Sequence, residues 1–378
     1  MKTVNQGAPA APDEEAVVSR MSTRDRLLPV WIGVAMVVGL LLGRFVSGLD
    51  DALDAVKVGE TSLPIALGLL LMMYPVLAKV RYNELGNVTA DKRMVTASLV
   101  LNWLVGPLVM FALAWIFLAD QPEYRTGVIL VGLARCIAMV LIWNDLARGD
   151  REMAAVLVAL NAVFQVLTYA AMAVFYLNIL PGWLGLGTET IAISMWDTAK
   201  TVLIFLGIPL AAGYLTRVIG ERRRGREWYE DRLLPKIAPI ALYGLLFTVV
   251  VLFALQGETI TSEPLTIARI ALPLLMYFLV MWFGGWAIAR WLRLSYARST
   301  ALAFSAASND FELAIAVAIG VFGVTSGQAL AGVVGPLIEV PVLVGLVYVA
   351  LWLRHRLTWP EQPEQAVVQT NSRSHPIH

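Results

Sequence analysis

Ten apolar segments, each long enough to cross a lipid bilayer, alternate with polar connections along this chain of 378 residues. A helix needs roughly 20 apolar residues to span a hydrocarbon core. Because backbone polar groups cannot stay unpaired in lipid, each segment is expected to be helical. The sequence therefore predicts an all-α integral membrane protein with ten transmembrane helices. The approximate spans are Leu27–Leu49, Leu63–Val80, Met94–Ala119, Thr126–Ala147, Glu152–Leu180, Thr198–Ile219, Leu233–Gln256, Pro264–Leu292, Ser299–Phe322 and Gln328–Leu353.

The composition restricts the class of protein further. Hydrophobic residues make up 58% of the chain and charged residues 15%, whereas soluble proteins are about 45–50% apolar and about 25% charged. The net charge of +1 gives no reason to expect a nucleic-acid partner. The single cysteine cannot form an intramolecular disulfide, and no common hydrolytic or nucleotide-binding motif occurs. We therefore expect no enzyme activity and no cofactor. A non-transporting receptor would be expected to carry a folded soluble domain, and the sequence predicts none.

Lysine and arginine are distributed unevenly between the connections. The amino-terminal flank and the connections after even-numbered spans hold most of them, whereas the other connections hold only Lys57 and Arg125 together with several acids. By the positive-inside rule, both termini are predicted to be cytoplasmic. An even number of spans likewise places both termini on the same face of the membrane.

The two halves of the chain have matching spacing, because spans 6 to 10 follow spans 1 to 5 at a nearly constant offset. Five spans is an odd number, so the second half enters the membrane from the opposite face, as in the inverted repeats of secondary transporters. The predicted parts are a cytoplasmic tail over residues 1–26, a first five-helix repeat over 27–180, an extracytoplasmic connection over 181–197, a second repeat over 198–354 and a cytoplasmic tail over 355–378.

Polar residues lie at mid-depth in several predicted spans. Arg135 and Cys136 lie roughly 15 Å into span 4, and Asn309, Asp310 and Glu312 lie at the matching depth of span 9. The small polar residues before Asn309 favour an unwound segment. Broken helices that meet at the midplane form the substrate site of many secondary transporters. Other polar residues predicted near this site are Asn102, Asn144, Asp145, Asn161, Gln165 and Glu339.

Ionisable groups at this depth need a partner. Each would cost about 2.5–3.5 kcal/mol on insertion scales if it stayed unpaired. One interpretation is a structural ion pair between spans 4 and 9, and we predict that Arg135 pairs with an acid of span 9 when the site is empty, with Glu312 as the first candidate. One arginine cannot neutralise Asp310, Glu312 and Glu339 together. At least one acid is therefore expected to carry a proton or to face a cation.

Cys136 has two interpretations. A lone buried cysteine is usually a small hydrophobic residue. A neighbouring cation such as Arg135, however, favours the thiolate, which is a soft ligand.

Three stretches of the sequence resemble a known family. The run Gly132–Ala147 resembles span 4 of the arsenite permeases of the yeast and bacterial arsenical-resistance type, and Ala307–Ile319 and Gly335–Leu343 resemble spans 9 and 10 of the same family. That family is part of the bile acid/arsenite/riboflavin transporter superfamily. The likeness extends over Leu27–Leu353.

The resemblance implies two inverted five-helix repeats in which helices 4 and 9 are broken and cross at the midplane. It also implies export of arsenite, and in some members antimonite, across the plasma membrane in exchange for protons, which confers arsenic resistance. The family's functional cysteine falls on Cys136, as the arsenic(III) ligand, and its span 9 glutamate falls on Glu312. Arg135 and Asn309 complete the predicted substrate site.

The proton carrier is left open between Glu312 and Asp310, because asparagine is common in this family at the position of Asp310. Glu339 is the third candidate. The partners expected are arsenite or antimonite, protons and the lipid bilayer. An alternative within the superfamily is a sodium-coupled, bile-acid-like organic-anion carrier. In that case the cation ligands would be Asn309, Asp310, Glu312 and Gln165.

Overall fold

A computed structural model describes residues 28–46, 57–58, 61–82, 91–186, 193–262 and 264–360. Twelve helical segments occupy these ranges, and we number them in chain order. They are α1 (Leu28–Phe45), α2 (Leu63–Lys79), α3 (Lys92–Phe117), α4 (Pro122–Leu133), α5 (Met139–Leu146), α6 (Arg151–Trp183), α7 (Met195–Arg224), α8 (226–262), α9 (Pro264–Trp291), α10 (Tyr296–Ala307), α11 (Phe311–Phe322) and α12 (Gly327–Arg356).

Within these ranges, six helices are long and apolar enough to cross a membrane by themselves, namely α3, α6, α7, α8, α9 and α12. The chain is therefore a membrane protein, and its described part consists almost entirely of helices. The only strands in the described part of the chain are β1 (Lys57–Val58) and β2 (Thr61–Ser62), which pair antiparallel between α1 and α2.

The helices pack in two groups. Helix α8 lies along both α1 and α2, and α7 packs on α2. In the second group α9 contacts α3, α10 and α12, while α12 contacts α4 and α11. Helix α7 touches both α6 and α11 and so joins the groups.

The predicted spans 4 and 9 are each interrupted. Helix α4 ends at Leu133 and α5 begins at Met139, while α10 ends at Ala307 and α11 begins at Phe311. The two interruptions meet in the second group of helices, where Arg135 and Asn309 face each other in a short antiparallel bridge.

The two predicted tails differ in how far the structure covers them. The amino-terminal tail over residues 1–26 lies outside the described residues, as do residues 361–378. The predicted carboxy-terminal tail begins at residue 355, but α12 continues to Arg356. The Trp359 ring then packs on Trp286 and Tyr296, with centroids 5.1 and 5.5 Å away. Buried aromatic surface therefore holds the first residues of this tail against the helices.

Glycines allow α1 to approach α8 closely. A Cβ added at Gly43 would lie 2.1 Å from the carbonyl oxygen of Ala254, and one added at Gly39 would lie 2.5 Å from that of Val250. Small residues permit such backbone contact in membranes, where van der Waals packing replaces the hydrophobic effect between helices. By contrast, a Cβ at Gly33 on the same helix would meet nothing within 4 Å.

We predict that Gly43→Leu lowers the free energy of unfolding by about 1–3 kcal/mol, because a backbone carbonyl cannot move aside as a side chain can. The measurement is the unfolding midpoint of the detergent-solubilised protein, with Gly33→Leu as the matched control. Equal midpoints for the two variants would show that α1 does not approach α8 in this way.

The joint between α7 and α8 caps the carboxyl end of α2. Arg217 donates to the Lys79 carbonyl (3.1 Å), and the Tyr229 hydroxyl donates to the Ala78 carbonyl (3.0 Å). Burial raises the pKa of Tyr229 to about 12. Nearby, Glu230 pairs with Arg81 at 3.0 Å. These residues lie at the face of the molecule where the helix ends are rich in lysine and arginine. We call it the basic face and define it by Lys79, Arg81, Arg151 and Arg217, which line one opening there.

The Glu230 carboxylate supports a pH-dependent prediction. Partial burial disfavours its charge, but Arg81, Arg226 and Arg217 outweigh burial and hold the pKa of Glu230 below its ordinary value of 4.5. A carboxyl group whose pKa is lower in the folded state than in the unfolded state stabilises the fold. This stabilisation is fully present above the unfolded-state pKa and is lost as the pH falls through the folded-state pKa.

Glu230→Gln should therefore destabilise the protein at pH 7 by about 1 kcal/mol or less. The difference from the unsubstituted protein should shrink as the pH falls below 4.5. Thermal unfolding in detergent between pH 7 and pH 3 tests this expectation. A difference that stays constant over this range would exclude the charge as its cause.

Candidate functional site at the crossing of two broken helices

Two backbone hydrogen bonds hold the interrupted segments together. The Cys136 N–H donates to the Ser308 carbonyl (3.3 Å), and the Asp310 N–H donates to the Ala134 carbonyl (3.2 Å). In an antiparallel pair, the residues between two such bonds face each other directly and their side chains lie close. The crossing therefore satisfies backbone groups that would otherwise be unpaired inside the membrane.

Asn309 closes the carboxyl end of α4. Its side-chain amide donates to the carbonyl oxygens of Val131 (2.8 Å) and Ala134 (3.0 Å). Its Oδ1 atom has no hydrogen-bond partner among the described residues. One acceptor at the crossing is thus still available.

Gln165 of α6 links the two broken helices. Its Oε1 accepts the backbone N–H of Arg135, and its Nε2 donates to Asp310 Oδ2 (3.0 Å). Glu339 of α12 holds the corresponding place on the other side, where its carboxylate faces the backbone N–H of Asn309. The Glu339 side chain is buried, and its Oε1 has no hydrogen-bond partner in the described part of the chain.

The two amino-terminal helix ends at the crossing also receive side-chain acceptors. The Asp310 Oδ1 accepts the N–H of Leu313 (3.0 Å) and caps α11. The Cys136 sulfur accepts the N–H of Val140 (3.4 Å) in the first turn of α5. An acceptor at this position interacts favourably with the positive end of a helix.

The structure brings three acids and the cysteine together. Asp310 and Glu312 are close enough for their carboxyl groups to interact. Glu339 interacts electrostatically with both of them and with Cys136. The sequence predicts all four residues from their mid-depth positions alone. Their proximity to one another arises only because the two broken helices cross.

The predicted pairing of Arg135 with an acid of span 9, Glu312 first, is wrong. The fully buried Arg135 donates from Nη1 to the Tyr277 hydroxyl (2.5 Å), and it forms no ion pair with a carboxylate of the described residues. The reason is the local backbone. Successive side chains alternate in an extended segment, so the residue that faces Asn309 points away from the side of Cys136 and Asp310.

The predicted supporting residues fall into two groups. Asn102 lies beside the crossing, where it donates to Ser305 of α10 (3.3 Å), and Asn161 is buried one turn before Gln165. Asn144 and Asp145 lie instead at the basic-face end of α5, roughly two turns from Cys136. There Asp145 is exposed and receives Arg151 at 2.5 Å. These two residues do not reach the crossing.

A cavity of about 200 Å³ connects the crossing to the basic face. Glu312, which is half-buried, lines its inner part together with Ile137 and Ala138, the two residues after Cys136. Lys79 lines its outer part and also a vestibule of about 440 Å³. The volume is enough for several water molecules or a small solute.

Two residues at the crossing were not predicted from the sequence. Tyr277 of α9 binds Arg135, and its hydroxyl also donates to the Ala306 carbonyl (3.5 Å). Gly106 of α3 leaves the space for both groups. The sequence could have indicated Tyr277, because a tyrosine in the middle of an apolar span has a buried hydroxyl that needs a hydrogen-bond partner. No local pattern marks Gly106.

Comparison with known proteins identifies the family. Residues 66–263 match the model of the Sodium Bile acid symporter family. The chain is 57% identical over 345 residues to the arsenical-resistance protein Acr3 of Corynebacterium glutamicum, which covers 91% of this chain and 93% of that protein. It is 34% identical to the uncharacterized transporter slr0944 of Synechocystis, over 91% of this chain and 92% of that protein.

A second arsenical-resistance protein Acr3, from Alkaliphilus metalliredigens, is 32% identical over 342 residues, which are 88% of this chain and 93% of that protein. These relationships extend over almost the whole chain and include both broken helices. The predicted resemblance is thereby confirmed: the chain belongs to the arsenical-resistance permeases of the bile acid/arsenite transporter superfamily.

Proposed function

We propose that this protein exports arsenite, and with it antimonite, across the plasma membrane in exchange for protons. The observation that carries the proposal is the cavity that leads from the basic face to Glu312, beside the segment that holds the only cysteine of the chain. The names of the two Acr3 relatives support the arsenical substrate. They do not favour the sodium-coupled organic-anion alternative.

The proposed topology is ten spans in two inverted repeats with both termini in the cytoplasm. Equivalent contacts in the two halves support it. The same number of residues separates Arg135 from Asn309, Cys136 from Asp310 and Gln165 from Glu339. The first pair forms the bridge, each member of the second accepts a backbone N–H from the helix that follows it, and each member of the third faces a backbone N–H of the first.

With this topology the basic face is cytoplasmic, and the cavity opens toward the cytoplasm. On the opposite face, buried Gln256 of α8 donates to the carbonyl of Val324 (2.5 Å), just before α12. This contact ties the two groups of helices together at that end. The conformation is therefore one that receives substrate from inside the cell, as an exporter requires.

The chemistry of the substrate agrees with the residues at the crossing. Arsenous acid is uncharged at neutral pH, so the membrane potential alone cannot drive its export and a coupled ion is needed. Trivalent arsenic binds thiolates, and a single sulfur ligand holds it weakly enough for release. Cys136 would supply that ligand: as the As–S bond forms, one hydroxyl of arsenous acid and the thiol proton would leave together as water, and the Val140 N–H would donate a hydrogen bond to the sulfur.

Glu312 is the proposed proton carrier. Asp310 already accepts the Leu313 N–H on one oxygen and the Gln165 amide on the other, which is the arrangement of a structural cap. Glu312 instead lines the cavity through which substrate would arrive from the cytoplasm and through which protons would leave to it. Glu312 would take up a proton from outside and release it into the cytoplasm once in each export step, and the nearby carboxylates would titrate as a coupled group.

We predict that Cys136→Ser reduces arsenite export by at least about tenfold, because a hydroxyl cannot replace a soft sulfur ligand. The assay is uptake into everted vesicles under an imposed pH gradient. Size-exclusion profiles in detergent verify that the variant folds. Full arsenite transport by a folded Cys136→Ser protein would assign the cysteine to packing alone.

We predict different results for the two neighbouring acids. Glu312→Gln keeps size and hydrogen bonding but cannot titrate, so it should abolish accumulation of arsenite against its gradient. Asp310→Asn keeps an acceptor for the Leu313 N–H and should retain accumulation, since asparagine is also a good helix cap. Both variants are compared in everted vesicles at several imposed pH gradients. The reverse pattern would make Asp310 the carrier, and retention by both would move attention to Glu339.

A further inference from the structure

The guanidinium of Arg135 is a buried cation with few hydrogen-bond partners. The residue is fully buried, and only Nη1 has a hydrogen-bond partner, the Tyr277 hydroxyl. Neither Nε nor Nη2 has one among the described residues. A buried charge is expensive unless something of opposite sign compensates it. Because no carboxylate of the described chain pairs with Arg135, the compensation must come from another source.

The surrounding helices hold the side chain in one direction. A Cβ added at Gly106 of α3 would lie 2.8 Å from Arg135 Nη1 and 3.0 Å from the Tyr277 hydroxyl. The missing side chain at this glycine is therefore what leaves room for the guanidinium. The Tyr277 hydroxyl accepts from Arg135 and donates to the Ala306 carbonyl, in the last turn of α10.

The carboxyl ends of two helices supply the opposite charge. Both α4 and α10 have twelve residues, and both end at the crossing. The carboxyl end of a helix carries roughly half a negative charge, so two such ends amount to about one. Arg135 lies directly after Ala134, the cap of α4, and it reaches the end of α10 through Tyr277. One guanidinium therefore matches both ends in charge.

We propose that Arg135 is the resident cation of the crossing. In transporters with broken helices, the carboxyl ends of the half-helices commonly coordinate a sodium ion or a proton. Here the guanidinium, fixed by Tyr277, takes the place of an ion from solution. Arg135 is thus a positioning residue and not a ligand of the substrate. It acts on the half-helices, and through Gln165, which holds its backbone N–H, on Asp310.

This assignment has a consequence for coupling. An arginine that is engaged with helix ends does not neutralise the acids. Asp310, Glu312 and Glu339 therefore stay available for proton exchange, and no external sodium is needed to assemble the crossing. The effect on transport rests on the proposed export function, whereas the effect on the assembled crossing does not.

The test compares Arg135→Ala, Arg135→Gln and Arg135→Lys with the unsubstituted protein. The first readout is the thermal unfolding midpoint of the full chain in detergent, in choline chloride, sodium chloride or choline chloride with millimolar guanidinium. The unsubstituted protein should be insensitive to the choice of cation. Arg135→Ala should unfold at a lower temperature and regain stability with guanidinium or sodium, whereas Arg135→Lys should keep most of its stability because the charge remains.

The second readout is arsenite accumulation in everted vesicles with the same cations. Arg135→Ala and Arg135→Gln should lose about tenfold or more, as expected for an uncompensated pair of helix ends, and Arg135→Ala should recover in guanidinium. Tyr277→Phe, which keeps the ring but frees the guanidinium, should give an intermediate loss. It also preserves a test if Arg135→Ala does not fold.

Three results would overturn the proposal. In the first, Arg135→Gln equals the unsubstituted protein in both readouts, so that charge is irrelevant. In the second, Arg135→Ala loses transport with an unchanged unfolding midpoint and no response to any cation, which would make Arg135 a substrate ligand. In the third, the unsubstituted protein needs sodium for stability. If the midpoints behave as expected but the unsubstituted protein does not accumulate arsenite, the proposed function fails and the assignment of Arg135 stands.

Discussion

Four helix ends meet at the crossing of the two broken helices, and each leaves backbone groups that lipid cannot satisfy. The carboxyl ends of α4 and α10 need donors, while the amino ends of α5 and α11 need acceptors. The residues between the half-helices supply both. Asn309 donates to the end of α4, and Asp310 accepts from the start of α11. The site depends on this requirement, because its polar residues are also the caps that make the breaks possible.

The same contacts hold the proposed substrate ligand and a neighbouring acid in place at the crossing. Cys136 accepts an amide N–H from α5, so the sulfur that would bind arsenic is held by the backbone of the helix it precedes. Gln165 bridges Arg135 and Asp310, which couples the first interruption to the second. Any shift of one broken helix relative to the other must change these bonds. In the proposed mechanism, the capping contacts would therefore link substrate binding to helix movement.

The two halves of the crossing carry opposite charge although their geometry is alike. The residue that faces Asn309 is Arg135, and the partner of its backbone N–H is the neutral Gln165. In the other half, the acid Glu339 faces the backbone N–H of Asn309. One half thus holds a permanent cation and the other holds titratable acids. We propose this asymmetry as the basis of the proton exchange proposed above.

Much of this protein could be predicted from its sequence. Runs of about 20 apolar residues mark membrane helices because the bilayer requires them at that length. Polar residues are costly at mid-depth, so Cys136, Asn309 and Glu312 can be singled out from their position along the spans. The division of spans 4 and 9 followed from the family resemblance and from small polar residues that form poor apolar helix.

Only the tertiary structure decided which of these residues meet. Depth alone pairs Arg135 with Glu312, yet alternation along an extended segment turns the guanidinium toward Tyr277. Depth in the membrane follows from position along a helix, which the sequence records. Direction around the crossing depends on contacts between residues far apart in the chain, such as Gln165 with Asp310, and on the space at Gly106. The sequence by itself therefore determined the membrane helices and the polar residues of the site, and packing alone determined their partners.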